Sequence, residues 1–101
     1  MPKIFEYIGF IFYFYSNDHE PIHCHVRRGD RDARVELYFD KEELEAISIT
    51  KANRHTQTLT GEEREKIRRF VEVYYPQIKL KWKDFRAGKK VRSTRINKEL
   101  Q

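Results

Sequence analysis

A segment of the sequence, YSNDHEPIHCHV (residues 15–26), holds three of the chain's four histidines within seven positions. If the chain is extended there, His23 and His25 project to the same face with Cα atoms about 7 Å apart, close enough for two imidazoles to bind one ion. His19, in the preceding turn, offers a third nitrogen, and a three-histidine set leaves a position open for water, as catalytic zinc sites require. One hypothesis is therefore a metal site for a divalent cofactor such as zinc, with His19, His23 and His25 as ligands.

The same segment also fits metal-free chemistry. A histidine with a pKa near neutrality can move protons at a phosphodiester when it is paired with a second histidine or with Asp18, as in metal-independent ribonucleases. Arg27 and Arg28, next along the chain, can stabilise the negative charge that develops on the phosphate. Under this hypothesis the catalytic residues are His19, His23, His25 and Asp18.

A third interpretation gives the histidines no chemistry. Asn17 or Asp18 can hydrogen-bond the backbone two residues further on, and Pro21 fixes the chain as it enters the strand. His19 would then only satisfy loop carbonyls, and the segment would shape a loop or a protein-binding surface. The residues alone leave the three interpretations open, and with them the question of whether the chain is an enzyme.

Alternation along the predicted strand separates the cysteine from the histidines. Ile22, Cys24 and Val26 share one face, and His23 and His25 share the other. Cys24 is therefore predicted to lie in the core. Because it is the chain's only cysteine, it can form neither an internal disulfide nor a cysteine-based zinc site, which fits a reducing compartment.

The composition predicts one folded domain. The chain has 101 residues, of which 39% are hydrophobic and 14% aromatic, enough for one small β-rich core. No apolar run approaches the roughly 20 residues of a membrane span, and the first residues lack the features of a signal peptide. We therefore expect a cytoplasmic protein that does not enter a membrane.

Runs of β-branched and aromatic residues predict several strands. Gly9 separates the first two runs and can adopt the positive φ of a tight connection. The polar sequence RRGDRD predicts the tip of a later hairpin. After Asp40 the apolar residues fit neither a helical nor a strand period, and we expect a short helical turn followed by a strand. The predicted strands are 3–8, 10–15, one that begins at Ile22, 33–39 and 46–50.

A long helix is predicted in the second half of the chain. Thr60 followed by Glu63 is a capping box, which marks the start of a helix. The apolar stripe that follows keeps its phase across Pro76, on the opposite side of the helix, so we expect one kinked helix over 61–87 with Gly88 as its C-terminal cap. A break before Pro76, with a second helix starting there, is the alternative. The stripe consists of Ile67, Phe70, Val71, Tyr74, Ile78, Trp82 and Phe85.

These elements predict an α+β fold, in which one long, Pro-kinked C-terminal helix packs on one face of an antiparallel sheet of four to five strands. We expect residues 1–88 to form the domain and residues 89–101 to form a basic, flexible tail. Residues 79–98 carry a net charge of +8, which points to an acidic partner, either nucleic acid or a protein surface. The candidates for binding phosphate or nucleic acid are Arg27, Arg28, Lys89, Lys90 and Arg92.

The sequence resembles the small bacterial family called domain of unknown function 4160, over roughly residues 1–85. The most specific part of the resemblance is the pattern Asp-His-x-Pro-x-His-x-His-Val. Members more often have a second proline where this chain has Ile22 and an aromatic residue where it has Cys24, both on the predicted core face. The residues that match the pattern are Asp18, His19, Pro21, His23, His25 and Val26.

The resemblance implies a partner rather than an activity, since the family has no established activity. Its members are frequently encoded beside proteins of a second family, domain of unknown function 2442, in an arrangement that resembles a toxin–antitoxin pair. The resemblance therefore implies a protein partner from that second family, and a nucleic-acid target for whichever of the two components is toxic. The hypothesis is then a toxin–antitoxin component that acts on RNA through its histidine cluster.

Overall fold

A computed structural model describes residues 2–15, 21–52 and 57–100, and within them one helix packs on one face of a seven-stranded mixed sheet. The strand order is β5-β4-β3-β2-β1-β7, and β6 lies beside β4. The elements are β1 (Lys3–Tyr7), β2 (Phe10–Tyr13), β3 (Ile22–Arg28), β4 (Arg31–Asp40), β5 (Glu43–Thr50), β6 (Gln57–Thr58), α1 (Gly61–Arg86) and β7 (Thr94–Ile96).

Two tight hairpins build the centre of the sheet, as the turn residues predict. Ile8 and Gly9 join β1 to β2, and both have positive φ, 36° and 92°, which matches a type I′ turn. Gly29 and Asp30 join β3 to β4, with a φ of 62° at Gly29. A positive φ at the first central residue is what a type II′ turn requires and what glycine provides without strain.

The helical turn expected after Asp40 is wrong. Lys41 and Glu42 form a tight turn, and β5 begins directly afterwards and runs antiparallel to β4. Its pairing shifts by one residue, because Leu44 lies opposite Phe39 whereas Ala46 lies opposite Tyr38. This bulge inserts an extra residue, which breaks the period of two and makes the apolar spacing of the strand resemble that of a helix.

The sheet is mixed, with more strands than expected, so the prediction of a purely antiparallel sheet of four to five strands is wrong. The two parallel pairings come from the shortest strands: β6 lies beside Arg31 and Asp32 of β4, and β7 lies beside β1, with Thr94 opposite Phe5. Strands of two and three residues show no alternation, so the sequence did not reveal them. β7 belongs to residues 89–101, which the sequence analysis placed outside the domain.

Helix α1 is a single helix, as predicted. The Thr60 hydroxyl accepts a hydrogen bond from the Glu63 backbone at 3.1 Å, and Glu63 Oε1 accepts one from the Thr60 backbone at 2.9 Å, which completes the capping box. The helix continues through Pro76 to Arg86, so the alternative break is not observed. Among the described residues, no helix combines the length and the apolar character needed to cross a membrane.

The core lies between α1 and the sheet and is centred on Phe70. Its ring lies 4.6 Å from the ring of Tyr7, 4.7 Å from that of Phe12 and 5.2 Å from that of Phe5. Aromatic rings at such distances add to the free energy gained by burying their area. The packing therefore fixes α1 across the central strands. Other fully buried core residues are Ile4, Phe10, Phe14, Val26, Val35, Ile67 and Ile78.

Candidate functional site

The histidines predicted to do chemistry lie on the central strand β3. His25 lies opposite Tyr13 of β2 and Arg34 of β4, and His23 lies opposite Glu36 of β4. Cys24 points to the other face and is fully buried, so its prediction as a core residue is confirmed. The alternation of the strand thus separates the cysteine from the two imidazoles.

Both imidazoles are buried, although alternation places them on the strand face opposite the core residue Cys24. His23 is 3% exposed and His25 is 6% exposed. The Tyr15 ring lies 4.2 Å from the His25 ring, and the Trp82 ring lies 5.4 Å from the His23 ring. The pattern of alternation could not reveal this, because the covering rings come from a segment after β2 and from the end of α1. The imidazoles are therefore part of an aromatic cluster.

One hydrogen bond orients His23. Its Nδ1 lies 2.9 Å from the carbonyl oxygen of Pro21. A carbonyl oxygen only accepts, so Nδ1 carries the proton, and in the neutral ring Nε2 keeps the lone pair. The His23 and His25 rings lie 5.7 Å apart at an angle of 77°. The two imidazole rings are therefore close neighbours, and one ring nitrogen of His23 is hydrogen-bonded to the backbone.

His19 and Asp18 lie outside the described residues, so the three-histidine set remains a prediction. Among the residues that the structure describes, no three or more His, Cys, Asp or Glu side chains are grouped to hold a metal ion. The described part of the candidate metal and catalytic site is therefore the pair His23 and His25.

Tyr13, beside this pair, is held in its protonated form. Burial raises the pKa of Tyr13 to about 12, with a smaller contribution from its hydrogen bond with Tyr15. Its ring stacks against His25 with a centroid distance of 5.7 Å. At neutral pH the Tyr13 hydroxyl can donate a proton to a hydrogen bond but does not act as a base.

A groove adjoins the histidine segment at the C-terminal half of α1. It has a volume of about 650 Å³, and we call it the basic groove. Its apolar lining contains Leu80, whose side chain is 63% exposed, and the nearly buried Trp82. The complete apolar lining is Ile22, Tyr75, Pro76, Leu80 and Trp82.

Cations surround this apolar lining. Lys79, Lys83 and Arg86 line the groove together with one carboxylate, Glu42. Lys79 Nζ lies 3.0 Å from Glu42 Oε2, whereas Lys83 has no ion pair with any residue in the described ranges. The groove therefore keeps a positive charge.

Trp82 connects the groove to the histidine segment. The guanidinium of Arg86 lies 5.9 Å from the Trp82 ring, and the His23 ring lies 5.4 Å from it. Ile22, the residue before His23, lines the groove directly. Two features that are distant in the sequence, the histidine segment and the basic part of α1, thus meet at one end of the molecule.

The candidate phosphate-binding residues fall into two separate groups. Arg28 lies near the start of α1, with its Nε 4.0 Å from Glu63 and its guanidinium 4.8 Å from the Phe10 ring, and Arg27 is its exposed neighbour. Lys89, Lys90 and Arg92 follow the other end of α1, where all three are exposed. The structure therefore does not bring the five residues together.

The sequence analysis missed the groove, although one signal was present. On a helix of 100° per residue, Leu80 lies about 140° from the buried stripe, so it is an aliphatic residue on the basic outer surface. Its neighbours Lys79, Lys81 and Lys83 carry charge, and this exposed leucine among lysines is the local signal of the groove.

Comparison with known proteins identifies a family. Residues 9–83 match a family model described as "Domain of unknown function (DUF4160)", which confirms the resemblance found in the sequence. The matched range contains the histidine segment, β2 to β6 and most of α1, and it excludes β1 and β7. No curated protein and no solved structure shows significant similarity to the chain.

Proposed function

The chain belongs to the family described as domain of unknown function 4160, and we propose that it is a non-enzymatic protein-binding module that binds an acidic, partly apolar segment of a partner in the basic groove. The observation that carries this proposal is the composition of the groove, in which an exposed leucine lies among cations.

Leu80 favours a protein over a nucleic acid as the partner. Phosphates and bases are bound through cations, hydrogen bonds and aromatic rings, and an aliphatic side chain adds little to such contacts. A protein partner instead buries aliphatic side chains at the centre of its interface and surrounds them with polar contacts. Lys83 selects acidic groups on such a partner, and Leu80 supplies apolar area.

The burial of the histidines supports a structural role in this module. His23 packs on Trp82, and Trp82 and Ile22 line the groove. A general acid or base must reach a proton on its substrate. Imidazoles that are 3% and 6% exposed are better suited to holding the wall of the groove in place.

The first partner to test is a protein of the domain of unknown function 2442 family, which the resemblance implies. Under this proposal the two proteins form a cytoplasmic toxin–antitoxin-type complex, in which this chain binds its partner and catalyses no reaction. The proposal predicts that the partner segment is acidic, because the groove carries three cations and one carboxylate.

The test is a calorimetric titration of the purified full chain with a purified member of that second family, with a single-stranded RNA oligonucleotide as a comparison probe. We expect the protein to bind and Leu80→Ala to weaken its binding about tenfold, since burying a leucine contributes roughly 1.5–3 kcal/mol. Val73→Ala, at an exposed aliphatic residue of α1 that does not line the groove, is the control. RNA binding without protein binding would overturn the proposal.

A second candidate is histidine-dependent action on RNA, with His19, His23, His25 and Asp18 as the catalytic residues. It is favoured by the contact of Trp82 with both His23 and Arg86, which places an imidazole and a guanidinium in one cluster. The test is induction in a bacterial host, with and without the partner. His23→Asn is the informative variant, because its amide can still donate to the Pro21 carbonyl while the imidazole is lost. Growth that is unaffected by the wild-type chain in every case would exclude this candidate.

A further inference from the structure

Strand β5 forms one edge of the sheet. It pairs with β4 on one side, and within the described ranges no strand pairs with its other side. β6 lies on the same side of β4 but pairs only with Arg31 and Asp32, so it does not cover β5. Most exposed edges carry lysine, proline or strong distortion that prevents pairing with another strand. β5 has neither lysine nor proline, and its one bulge lies at its beginning.

The backbone of Ile47 faces away from the sheet. In an antiparallel pair, alternate residues direct both N–H and C=O to the neighbouring strand, and the residues between them direct both groups away. Arg68 Nη1 of α1 donates a hydrogen bond to the Ile47 carbonyl oxygen at 3.2 Å, which shows that this oxygen lies on the outer side. By alternation, Ile49 also directs its backbone groups outward.

We propose that β5 pairs with β5 of a second copy of the chain in antiparallel orientation, about a two-fold axis at Ser48. In this arrangement Ile47 lies opposite Ile49 of the second copy, so that their outward N–H and C=O groups bond to each other. The two sheets then form one continuous sheet, and the dimer is symmetric because each copy uses the same strand.

The side chains of β5 are complementary in this register. Ile47 and Ile49 meet on the side of α1, and Ser48 meets Ser48 of the second copy on the other side. The same register brings Glu45 of one copy near Lys51 of the other, and both residues are exposed. A register centred on Ile47 would instead place Glu45 against Ile49. Charge and burial therefore favour the axis at Ser48.

The space beside β5 accommodates the second strand. A groove of about 350 Å³ lies between β5 and α1, lined by Leu44, Ile47, Arg68 and Glu72 among others. Arg68 must leave the Ile47 carbonyl when the second strand binds, and Glu65 lies 3.6 Å from its Nε as an alternative partner. Because one strand pair buries less than a standard protein interface, we expect a concentration-dependent dimer and not a permanent one.

The test is sedimentation velocity on the full chain, from about 10 μM to about 1 mM, a range that detects the weak association expected of a small interface. Ser48→Lys places two lysines face to face across the axis, yet within one copy the new lysine lies opposite Glu36, so the fold is retained. We expect Ser48→Lys to be monomeric throughout. Circular dichroism checks that this variant is folded.

A charge exchange tests the register. Glu45→Lys and Lys51→Glu should each shift the dimer to concentrations about tenfold higher, and the double variant Glu45→Lys with Lys51→Glu should restore it. A wild-type chain that stays monomeric at the highest concentration would overturn the proposal. A dimer that is unaffected by Ser48→Lys and by both charge reversals would overturn it as well.

Discussion

The charged side chains at the two ends of α1 differ in whether they are paired within the chain. At the N-terminal end, Glu63 accepts hydrogen bonds from Arg31 at 3.0 and 2.5 Å and from the Thr60 backbone at 2.9 Å. These contacts, with Arg31 contributing most, lower the pKa of Glu63 to about 2. At the C-terminal end, Lys83 and Lys89 have no such partners in the described part of the chain, and aromatic rings hold the helix instead.

The charged residues at the N-terminal end of α1 stabilise the fold, whereas the exposed lysines at its C-terminal end can bind a partner. The Arg31–Glu63 pair joins the tip of the β3–β4 hairpin to the first turn of α1, and Glu63 is buried. Charge-assisted, two-point hydrogen bonds in such a place are strong and specific. Exposed lysines contribute almost nothing to stability but create a positive surface. Substitutions at the two ends should therefore affect different measurements.

The largest expected loss of stability comes from disrupting the aromatic packing at the C-terminal end of α1. Trp82→Ala removes ring contacts with Phe14, Phe85 and His23. We expect the free energy of unfolding, measured with urea, to fall by about 3–5 kcal/mol, as for other large buried aromatic residues. Trp82→Phe retains most of the volume and should cost less than half as much. A loss below about 1 kcal/mol for Trp82→Ala would show that the rings do not hold this end.

The second-largest loss of stability is expected when the ion pair at the N-terminal end of α1 is removed. Glu63→Gln keeps the shape of the side chain and removes its charge, and we expect a loss of about 2 kcal/mol at pH 7. Glu62→Gln, an exposed neighbour in the same turn, is the matched control and should change stability by less than about 0.5 kcal/mol.

The pH dependence of the stability lost in Glu63→Gln shows whether the loss comes from the missing charge or from a change in side-chain shape. The folded-state pKa of Glu63 lies below its ordinary value of 4.5, at about 2. The ionised carboxylate therefore stabilises the fold fully above pH 4.5, and this contribution disappears as the pH falls toward 2. Urea unfolding of the wild type and Glu63→Gln should converge over this interval. A constant difference between them would contradict the role of the charge.

A smaller effect is expected at the helix cap. Thr60→Ala removes the hydroxyl that accepts the hydrogen bond from the Glu63 backbone, and we expect the free energy of unfolding to fall by about 1 kcal/mol. Thr60→Ser keeps the hydroxyl and should restore most of the loss. Thermal unfolding by circular dichroism measures both variants. Equal stability of Thr60→Ala and wild type would show that Glu63 holds the first turn alone.

The smallest effect on stability is expected at Lys83. Lys83→Glu should change the free energy of unfolding by less than about 0.5 kcal/mol, since the residue is exposed. Binding of the acidic protein partner should nevertheless weaken about tenfold and become less sensitive to salt. Lys98→Glu makes the same change of charge outside the groove and serves as the control. Equal weakening by both variants would mean that net charge alone attracts the partner.

The sequence predicted the elements that follow one clear period and missed those that do not. The capping box and the stripe of α1 identified the helix through Pro76, and glycine marked the first two hairpins. The strand over 46–50 was predicted, but the start of β5 was misread as a helical turn because its bulge changes the spacing of Leu44 and Ile47. β6 and β7 are too short to show a pattern. The helix and the hairpins are encoded by the local periodicity and turn residues of the sequence. The start of β5, β6 and β7 depend instead on pairing with strands elsewhere in the chain.

The candidate site was predictable in its residue types but not in its environment. Alternation placed Cys24 in the core and His23 with His25 on the other face, as observed. The burial of the two imidazoles depends on Trp82, which is 59 positions from His23 in the sequence. No local pattern encodes that contact, so neither the aromatic cluster nor the groove beside it could be derived from the segment itself.

The parallel pairing of β7 with β1 has a consequence for the order of events during synthesis. Arg95 of β7 bonds Glu6 of β1 across 89 positions of sequence at 3.0 Å, and the Leu100 backbone donates to the Tyr7 hydroxyl at 2.9 Å. Among the described elements the ribosome makes β1 first, whereas β7, the strand that covers its outer edge, is made last. A nascent chain therefore displays the open edge of β1 while the hairpins and α1 already fold. Chaperone contact during translation should be greatest at this edge.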